Sequence, residues 1–275
     1  MAGRSWFQAN MTYRFDLHAI ASPKYIGWLE HGLLVTVGLS SLVIAAATVW
    51  GAVLAMACES GRPAVRVPVR VYQEIFRNTP LLVQLFFWYF GASQIVPEAL
   101  MQWLNTPHEW ALSGLRLTWP SFEFIAAALG LTLFSGAFIA EELRAGIGSV
   151  ARGQRQAALA LGLSDGQAMR FVVLPQAVRV ALGPLFGQYL NIVKNSSLAL
   201  AIGLAELSYQ AREIETESFR SFEAFGVATV LYIVLIGMIA GVGSVIDARA
   251  RVRGTHAAAR TPFDPVLVQR FKRVN

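Results

Sequence analysis

Apolar residues come in long unbroken runs along this chain, not at every second or third position, and that pattern sets the expected architecture. Five segments approach the roughly 20 residues a helix needs to cross about 30 Å of hydrocarbon: 33–57, 81–96, 124–140, 182–192 and 225–246. The second and fourth are short and need flanking residues to complete a crossing. An aromatic-bearing lead-in around Trp6–Trp28 suits a membrane interface. Between the third and fourth runs lies a polar stretch rich in Ala and Leu, good helix formers. The pattern predicts an all-α membrane protein of about five transmembrane helices. Its parts are a lead-in over 1–32, a membrane domain over 33–250 containing a helical loop at 141–181, and a tail over 251–275. No internal repeat is evident.

Composition agrees. The 275 residues are 55% hydrophobic and 15% charged, against about a quarter charged in soluble domains. The net charge of +6 would suit nucleic acid, but the basic residues lie in loops between spans, where they set topology instead. Arg62, Arg66, Arg70 and Arg77 follow the first span. Arg144, Arg152, Arg155, Arg170 and Arg179 follow the third, and the tail carries Arg249, Arg251, Arg253, Arg260, Arg270, Lys272 and Arg273. That puts sixteen of the 23 basic residues on one side of the membrane. The positive-inside rule makes that side the cytoplasm, with the N-terminus outside and the C-terminus inside. The fourth loop carries Glu206, Glu213, Glu215 and Glu217, which reads as a solvated segment. The first thirty residues lack the apolar core of a cleavable signal peptide. The single cysteine, Cys58, excludes an intrachain disulfide.

The polar stretch resolves into a hairpin. A helix over Gln154-Arg155-Gln156-Ala157-Ala158-Leu159-Ala160-Leu161 is expected to stop at Gly162, which takes a left-handed backbone at no Cβ cost, with Leu163 supplying an apolar contact. Ser164 followed by Gln167 matches a capping box that starts a second helix. Pro175 is expected to break or kink the chain where it re-enters the membrane. Small residues at the corner (Ala157, Ala158, Ala160, Gly162) let another surface approach the backbone. Both a partner protein and the chain's own bundle fit that role. Gly162-Leu163-Ser164-Asp165-Gly166 also matches the form of a nucleophile elbow. That motif needs a strand before its serine, and here a helix precedes it, so Ser164 is read as a cap.

The three lysines follow Pro23, Val193 and Phe271, so no Gly-Lys-Ser/Thr phosphate loop exists. No zinc-binding spacing of Cys and His is found either.

Gln156-Ala157-Ala158, then Gly162, then Val172-Val173-Leu174-Pro175 resembles the cytoplasmic "EAA loop" of ABC-importer permeases. In those permeases Glu-Ala-Ala, three residues, Gly, nine residues and Ile-x-Leu-Pro recur. Gln156 stands where the family usually has Glu. Three further stretches are similar to the polar amino-acid branch: Arg77-Asn78-Thr79-Pro80-Leu81-Leu82-Val83-Gln84, Glu142-Leu143-Arg144-Ala145-Gly146-Ile147, and Lys194-Asn195-Ser196-Ser197-Leu198. The wording of Arg152-Gly153-Gln154 and Lys194–Ser196 is most similar to the glutamate/aspartate permeases. The resemblance implies a type I importer permease in a bacterial inner membrane. It would pair with a second permease, its own copy or a sister, and would receive substrate from a periplasmic amino-acid-binding protein. It would engage two ATPase subunits through Gln156, Ala157, Ala158, Gly162, Leu163 and Ser164. ATP and Mg would sit on those ATPases, with no cofactor and no catalysis on this chain. A stand-alone secondary transporter or channel is the alternative, though internal repeats and helices broken at mid-membrane, frequent in that class, are not evident.

Polar groups in or beside spans are costly and often functional, which nominates Gln84, Gln188, Asn191, Lys194 and Asn195 as a substrate pathway. Gln188, Asn191 and Asn195 share helical spacing and fit either a pathway stripe or a helix–helix hydrogen-bond seam. Lys194 fits either a counter-charge for an anionic substrate or an interfacial lysine reaching water. Glu141 and Glu142 read as a solvated helix end, with an ion-pair or gating role as the other possibility.

Overall fold

The computed structural model describes residues 15–106, 109–112, 115–118 and 121–258. A short 3-10 turn, Leu17–Ile20, leads into α1 (Pro23–Glu59), capped by Ser22 and started by Pro23. Then come α2 (Pro63–Asn78), α3 (Leu81–Phe86), a π-helical turn Phe87–Gly91, α4 (Ala92–Ile95) and α5 (Glu98–Asn105). The antiparallel hairpin of β1 (Glu109–Leu112) and β2 (Leu115–Thr118) is an addition to the all-α expectation. The long α6 (Phe122–Ser149) is followed by α7 (Arg152–Ala160), α8 (Asp165–Ala168), a second π-helical turn Met169–Val173 and α9 (Leu174–Ser196). A 3-10 stretch, Ser197–Ile202, connects to α10 (Leu207–Ser218), and α11 (Ser221–Ala258) completes the chain.

Four helical runs are long and apolar enough to cross a membrane: Pro23–Glu59, Phe122–Ser149, Asp165–Ile202 and Ser221–Arg249. The second expected span, Leu81–Ile95, is apolar but shorter, as the sequence pattern already suggested. The fourth was short only because polar residues interrupt its hydropathy; its helix is continuous from α8 onward.

α1, α6 and α9 form the centre, and small residues let them approach. A side chain at Gly51 would lie 2.6 Å from Ile139 and 3.0 Å from the Gly136 carbonyl, while one at Gly146 would lie 2.6 Å from the Ala177 carbonyl. In a bilayer such close backbone contact replaces the hydrophobic drive available in water. Leu39, Val43 and Ala47 cluster with Ala126, Ala127 and Leu131, and Leu54 and Ala55 with Ala140. The two helices α1 and α6 therefore run parallel, with Gly51 level with Gly136.

Fourteen residues back from each of those glycines puts Phe122, the start of α6, level with Val37 of α1. From Val37 to Glu59 is about 33 Å at the helical rise. The first part of α1 stands about 20 Å beyond that level. There it packs with α10 and the start of α11 around Ile20, Leu29, Leu207, Ala211, Ile214, Ala224 and Ala228. This three-helix platform takes in Ile20, Tyr25, Trp28 and Leu29 of the expected lead-in. Residues 1–14 lie outside the described residues, and Trp28 belongs to the continuous α1 with Lys24 4.8 Å over its ring.

The platform corrects the solvated reading of the acidic segment at Glu206. Glu206 is fully buried at its base, while Glu217 is exposed and paired with Lys24 at 2.6 Å.

Candidate functional site

The hairpin between α6 and α9 forms as its residues dictate. Gly162 has φ +88°, and two crossed hydrogen bonds close the end of α7: Gly162 N–H to the Leu159 carbonyl at 2.9 Å and Leu163 N–H to the Ala158 carbonyl at 3.2 Å. This is the Schellman arrangement that satisfies carbonyls left open at a helix end. The capping box is present as well: Gln167 N–H donates to Ser164 Oγ, and Ser164 N–H donates to Gln167 Oε1 at 2.9 Å. Arg155 pairs with Asp165 at 3.2 Å and ties α7 to α8. No strand precedes Ser164, which is a cap, so the nucleophile-elbow form has no structural basis.

Pro175 does not break the chain. It occupies an early position of α9, and helical structure continues through it by way of the π turn Met169–Val173. Proline lacks the N–H that would bond four residues back; the wider π turn accommodates that loss. Gln176 Nε2 donates to the Val172 carbonyl at 2.8 Å and satisfies part of the loosened backbone. Such turns recur at functional sites.

The hairpin has two faces. Ala158, Ala168 and Val173 are buried, and Val173 and Ala177 cluster with Ile147 of α6. Gln156, Ala157, Gly162 and Ser164 are exposed, with Leu163 half-buried. Leu161 is 82% exposed beside them, and Leu159 and Phe171 are also exposed. The inner face docks on the chain's own bundle while the corner stays open. The docking on the chain's own bundle is thus realised on one face, and the other face is left exposed.

The pathway candidates separate into two groups. On α9 the exposed positions Val180, Pro184, Gly187, Asn191 and Lys194 recur every three or four residues and form one stripe. Gln188 and Asn195 flank it, half-buried, and Gln188 Nε2 donates to Glu142 on α6 at 3.1 Å. No atom lies within 4 Å of a side chain built at Gly187, so backbone is bare there. Gln84 is elsewhere. Its amide nitrogen donates to the Phe76 carbonyl at 2.9 Å and the Thr79 carbonyl at 3.1 Å, closing the end of α2 across the Thr79–Pro80 break. It lines a separate apolar cleft of about 260 Å³ with Phe76, Val83, Phe87 and Trp88.

Glu141 and Glu142 are not a solvated helix end, because α6 continues to Ser149. Glu141 pairs with Arg144 at 3.3 Å and Arg77 at 3.5 Å, and Arg77 also lies over the Phe138 ring. The Arg77 link joins α2 to α6 across 64 residues of chain, and no local signal announces it.

At the platform base, Glu206 caps α10. Its Oε1 accepts from Tyr209 N–H at 2.9 Å, and its Oε2 from Tyr232 Oη at 2.6 Å and Thr36 Oγ1 at 3.4 Å. Burial holds this carboxyl above its usual range, against the lowering effect of those hydrogen bonds. Among the described residues no group of His, Cys, Asp and Glu is arranged to hold a metal ion.

Residues 47–252 match the family described as the binding-protein-dependent transport system inner membrane component. The chain belongs to that family. The permease is 33% identical over 234 residues to the glutamate/aspartate import permease protein GltJ of Escherichia coli (strain K12), covering 85% of this chain and 91% of that one. It is also 33% identical over 222 residues to the glutamine transport system permease protein GlnP of the same organism, covering 81% and 91%. A crystal structure of an amino acid ABC transporter with histidines superposes with a TM-score of 0.70 at 30% identity, covering 86% of this chain and 99% of that one. The permease is a multi-pass subunit of an ABC importer of polar amino acids, as the motifs implied.

Proposed function

We propose that the permease carries acidic amino acids, glutamate or aspartate, inward across a bacterial inner membrane with ATP hydrolysed by separate ATPase subunits. The observation that carries the coupling role is the corner Gln156–Ser164, rigidly built by a Schellman end and a capping box yet exposed beside Leu161. An ATPase subunit seated there moves α9 directly, because the corner joins α9 through the π turn without a break. Gln156 replaces a charged contact by hydrogen bonding, which leaves less electrostatic attraction for a basic partner group.

The hairpin then faces the cytoplasm, with the C-terminus, and the platform faces the periplasm, with the N-terminus. The exposed stripe of α9 places Asn191 and Lys194 where lipid would be costly to them. A second permease chain facing that stripe encloses the pathway between them. Lys194 serves as counter-charge for the substrate side chain, and Gln188, held by Glu142, with Asn191 and Asn195 supplies hydrogen bonds. Gln84 acts by holding the α2–α3 break, outside this stripe. Likeness to GltJ and the wording of Arg152–Gln154 and Lys194–Ser196 support the acidic substrate; the equal likeness to GlnP makes glutamine the competing cargo.

The test is purification of the tagged chain from native membranes, identification of what stays bound, and assay of ATP hydrolysis with periplasmic binding protein. A co-purifying ATPase stimulated by glutamate- or aspartate-loaded binding protein is expected. Stimulation by the glutamine-loaded form alone would overturn the acidic cargo. Purification alone, with uptake on an ion gradient in liposomes, would overturn the importer reading. Gly162→Val is expected to insert normally while losing stimulated hydrolysis, since a β-branched residue resists φ +88°; normal stimulation would remove the corner from the mechanism.

A further inference from the structure

α2 meets the bundle on one face, and its other two faces differ in kind. Val69 and Tyr72 pack with Leu54, Ala55, Ala140 and Leu143, and Gln73 Nε2 donates to the Ala137 carbonyl at 3.5 Å. Arg62 at the N-cap, Arg66 and Arg70 recur every four residues beside that contact, so they stack in one row. Val67, Val71 and Ile75 form a second row beyond it, and all three are more than half exposed. Among the described residues none of the three arginines pairs with a carboxylate. Arg77, further on, is taken by Glu141, and Glu74 accepts from Asn78 at 2.9 Å. Arg66 is half-buried, and its Nε is shut from solvent with no hydrogen-bond partner. A buried guanidinium donor without a partner is costly, so this row is suited to an anion.

The aliphatic row says which anion. It runs on into the apolar stretch Leu81–Ile95, where Val83, Phe87 and Phe90 are exposed as well. At the joint between the two lies the apolar cleft of about 260 Å³, lined by Ile75, Phe76, Val83, Gln84, Phe87 and Trp88. Contacts with α6 give the direction. Val69 lies by Ala140 and Leu143, whereas Leu85 lies by Gly130. The surface therefore leads from the end of a membrane-spanning helix toward its middle, roughly 15–20 Å at the helical rise. Charge at one end with bare hydrocarbon leading inward from it matches a lipid. An acidic protein surface would satisfy the arginines and leave the aliphatic row uncovered.

We infer that α2 and the α2–α3 joint form a binding site for one phospholipid of net negative charge. Arg62, Arg66 and Arg70 hold its phosphate, and an acyl chain lies along Val67, Val71 and Ile75 into the cleft. Guanidinium groups suit phosphate oxygens, which they meet with paired N–H donors. Basic residues beside a span attract anionic headgroups. α2 also bridges α1 and α6, through Trp50 Nε1 to Tyr72 Oη at 2.9 Å and through the Arg77–Glu141 pair. A lipid seated on α2 thus braces three helices from outside. The site depends on the chain being a membrane permease and on neither its cargo nor its sidedness.

The experiment uses the whole permease, with the subunits that accompany it, stripped of lipid in neutral detergent. Phosphatidylglycerol, phosphatidylcholine with the same chains, and inorganic phosphate are titrated separately, with bound lipid counted by native mass spectrometry beside thermal melts. Phosphatidylglycerol is expected to be retained and to raise the melting temperature, while the other two do neither at equal concentration. Arg66→Gln is expected to weaken its binding about fivefold, and Arg62→Gln with Arg70→Gln by about that factor for each arginine removed. If Arg66→Gln unfolds the permease, the pair at exposed positions decides the matter. Val83→Trp, which fills the cleft and leaves every charge in place, is expected to lower retention too; unchanged retention there overturns the cleft's part. Equal binding of the two lipids, equal action of phosphate alone, or undiminished phosphatidylglycerol binding in the arginine variants overturns the site. So does loss of an accompanying subunit from those variants with lipid retention unchanged, which would make the row a protein contact.

Discussion

A carboxyl such as that of Glu206 shows how a residue's neighbours outweigh its own character. Glutamate is not among the preferred helix caps, and in sequence it stands with three other glutamates. In the fold it caps α10 and binds Tyr232 of α11 and Thr36 of α1 at once. Its carboxyl is raised, chiefly by burial. A raised folded value means that the folded protein favours the neutral form. The associated stability is complete below the ordinary carboxylate range and is lost as pH rises through the folded value. The permease in detergent is therefore expected to melt at lower temperature as pH rises just above the ordinary carboxylate range. Glu206→Gln, which keeps the shape and stays neutral, is expected to flatten that slope; thermal melts of both proteins across pH 4–8 (about the range from the carboxylates to the first histidines) check it. An identical slope in the variant would assign the dependence to another group.

Among the elements, the join between hairpin and α9 was the least legible. Hydropathy marks where polar residues interrupt an apolar run, and proline there reads as an end of helix. The backbone instead spends one extra residue on a π turn and keeps going. Deleting Val172 from that turn restores ordinary α spacing but rotates the hairpin by about 100° relative to α9. The deletion variant is expected to retain membrane insertion and to lose stimulated ATP hydrolysis. Hydrolysis matching wild type would mean that the turn transmits nothing. By contrast, the α7 end and the α8 start were legible, since Gly162 and the Ser164–Gln167 pair act within four residues of themselves. Local chemistry can be read locally.

At the scale of the whole molecule, two ends of different character sit on one membrane bundle. One is the hairpin with its open corner; the other is the platform formed by the first part of α1, α10 and the start of α11. Their proposed sidedness rests on the placement of arginines, and cysteine labelling tests it. In a Cys58→Ser background, Ser218→Cys is expected to react with an impermeant maleimide in intact cells, and Ala160→Cys only after the inner membrane is opened. The reverse pattern would invert the proposed topology.

The sequence by itself determined the membrane class, the number of apolar runs, the helix stop at Gly162, the cap at Ser164 and the family. Each depends on residues close together in the chain or on sums over it. Tertiary structure decided that Gln84 closes a helix end away from the α9 stripe, that Glu141 binds Arg77, and that Glu206 is buried. Those facts depend on which helices meet, at what height and with which faces. Apart from the local bonds of Gln84, such meetings join residues tens to nearly two hundred positions apart, and no periodicity in a single run encodes them.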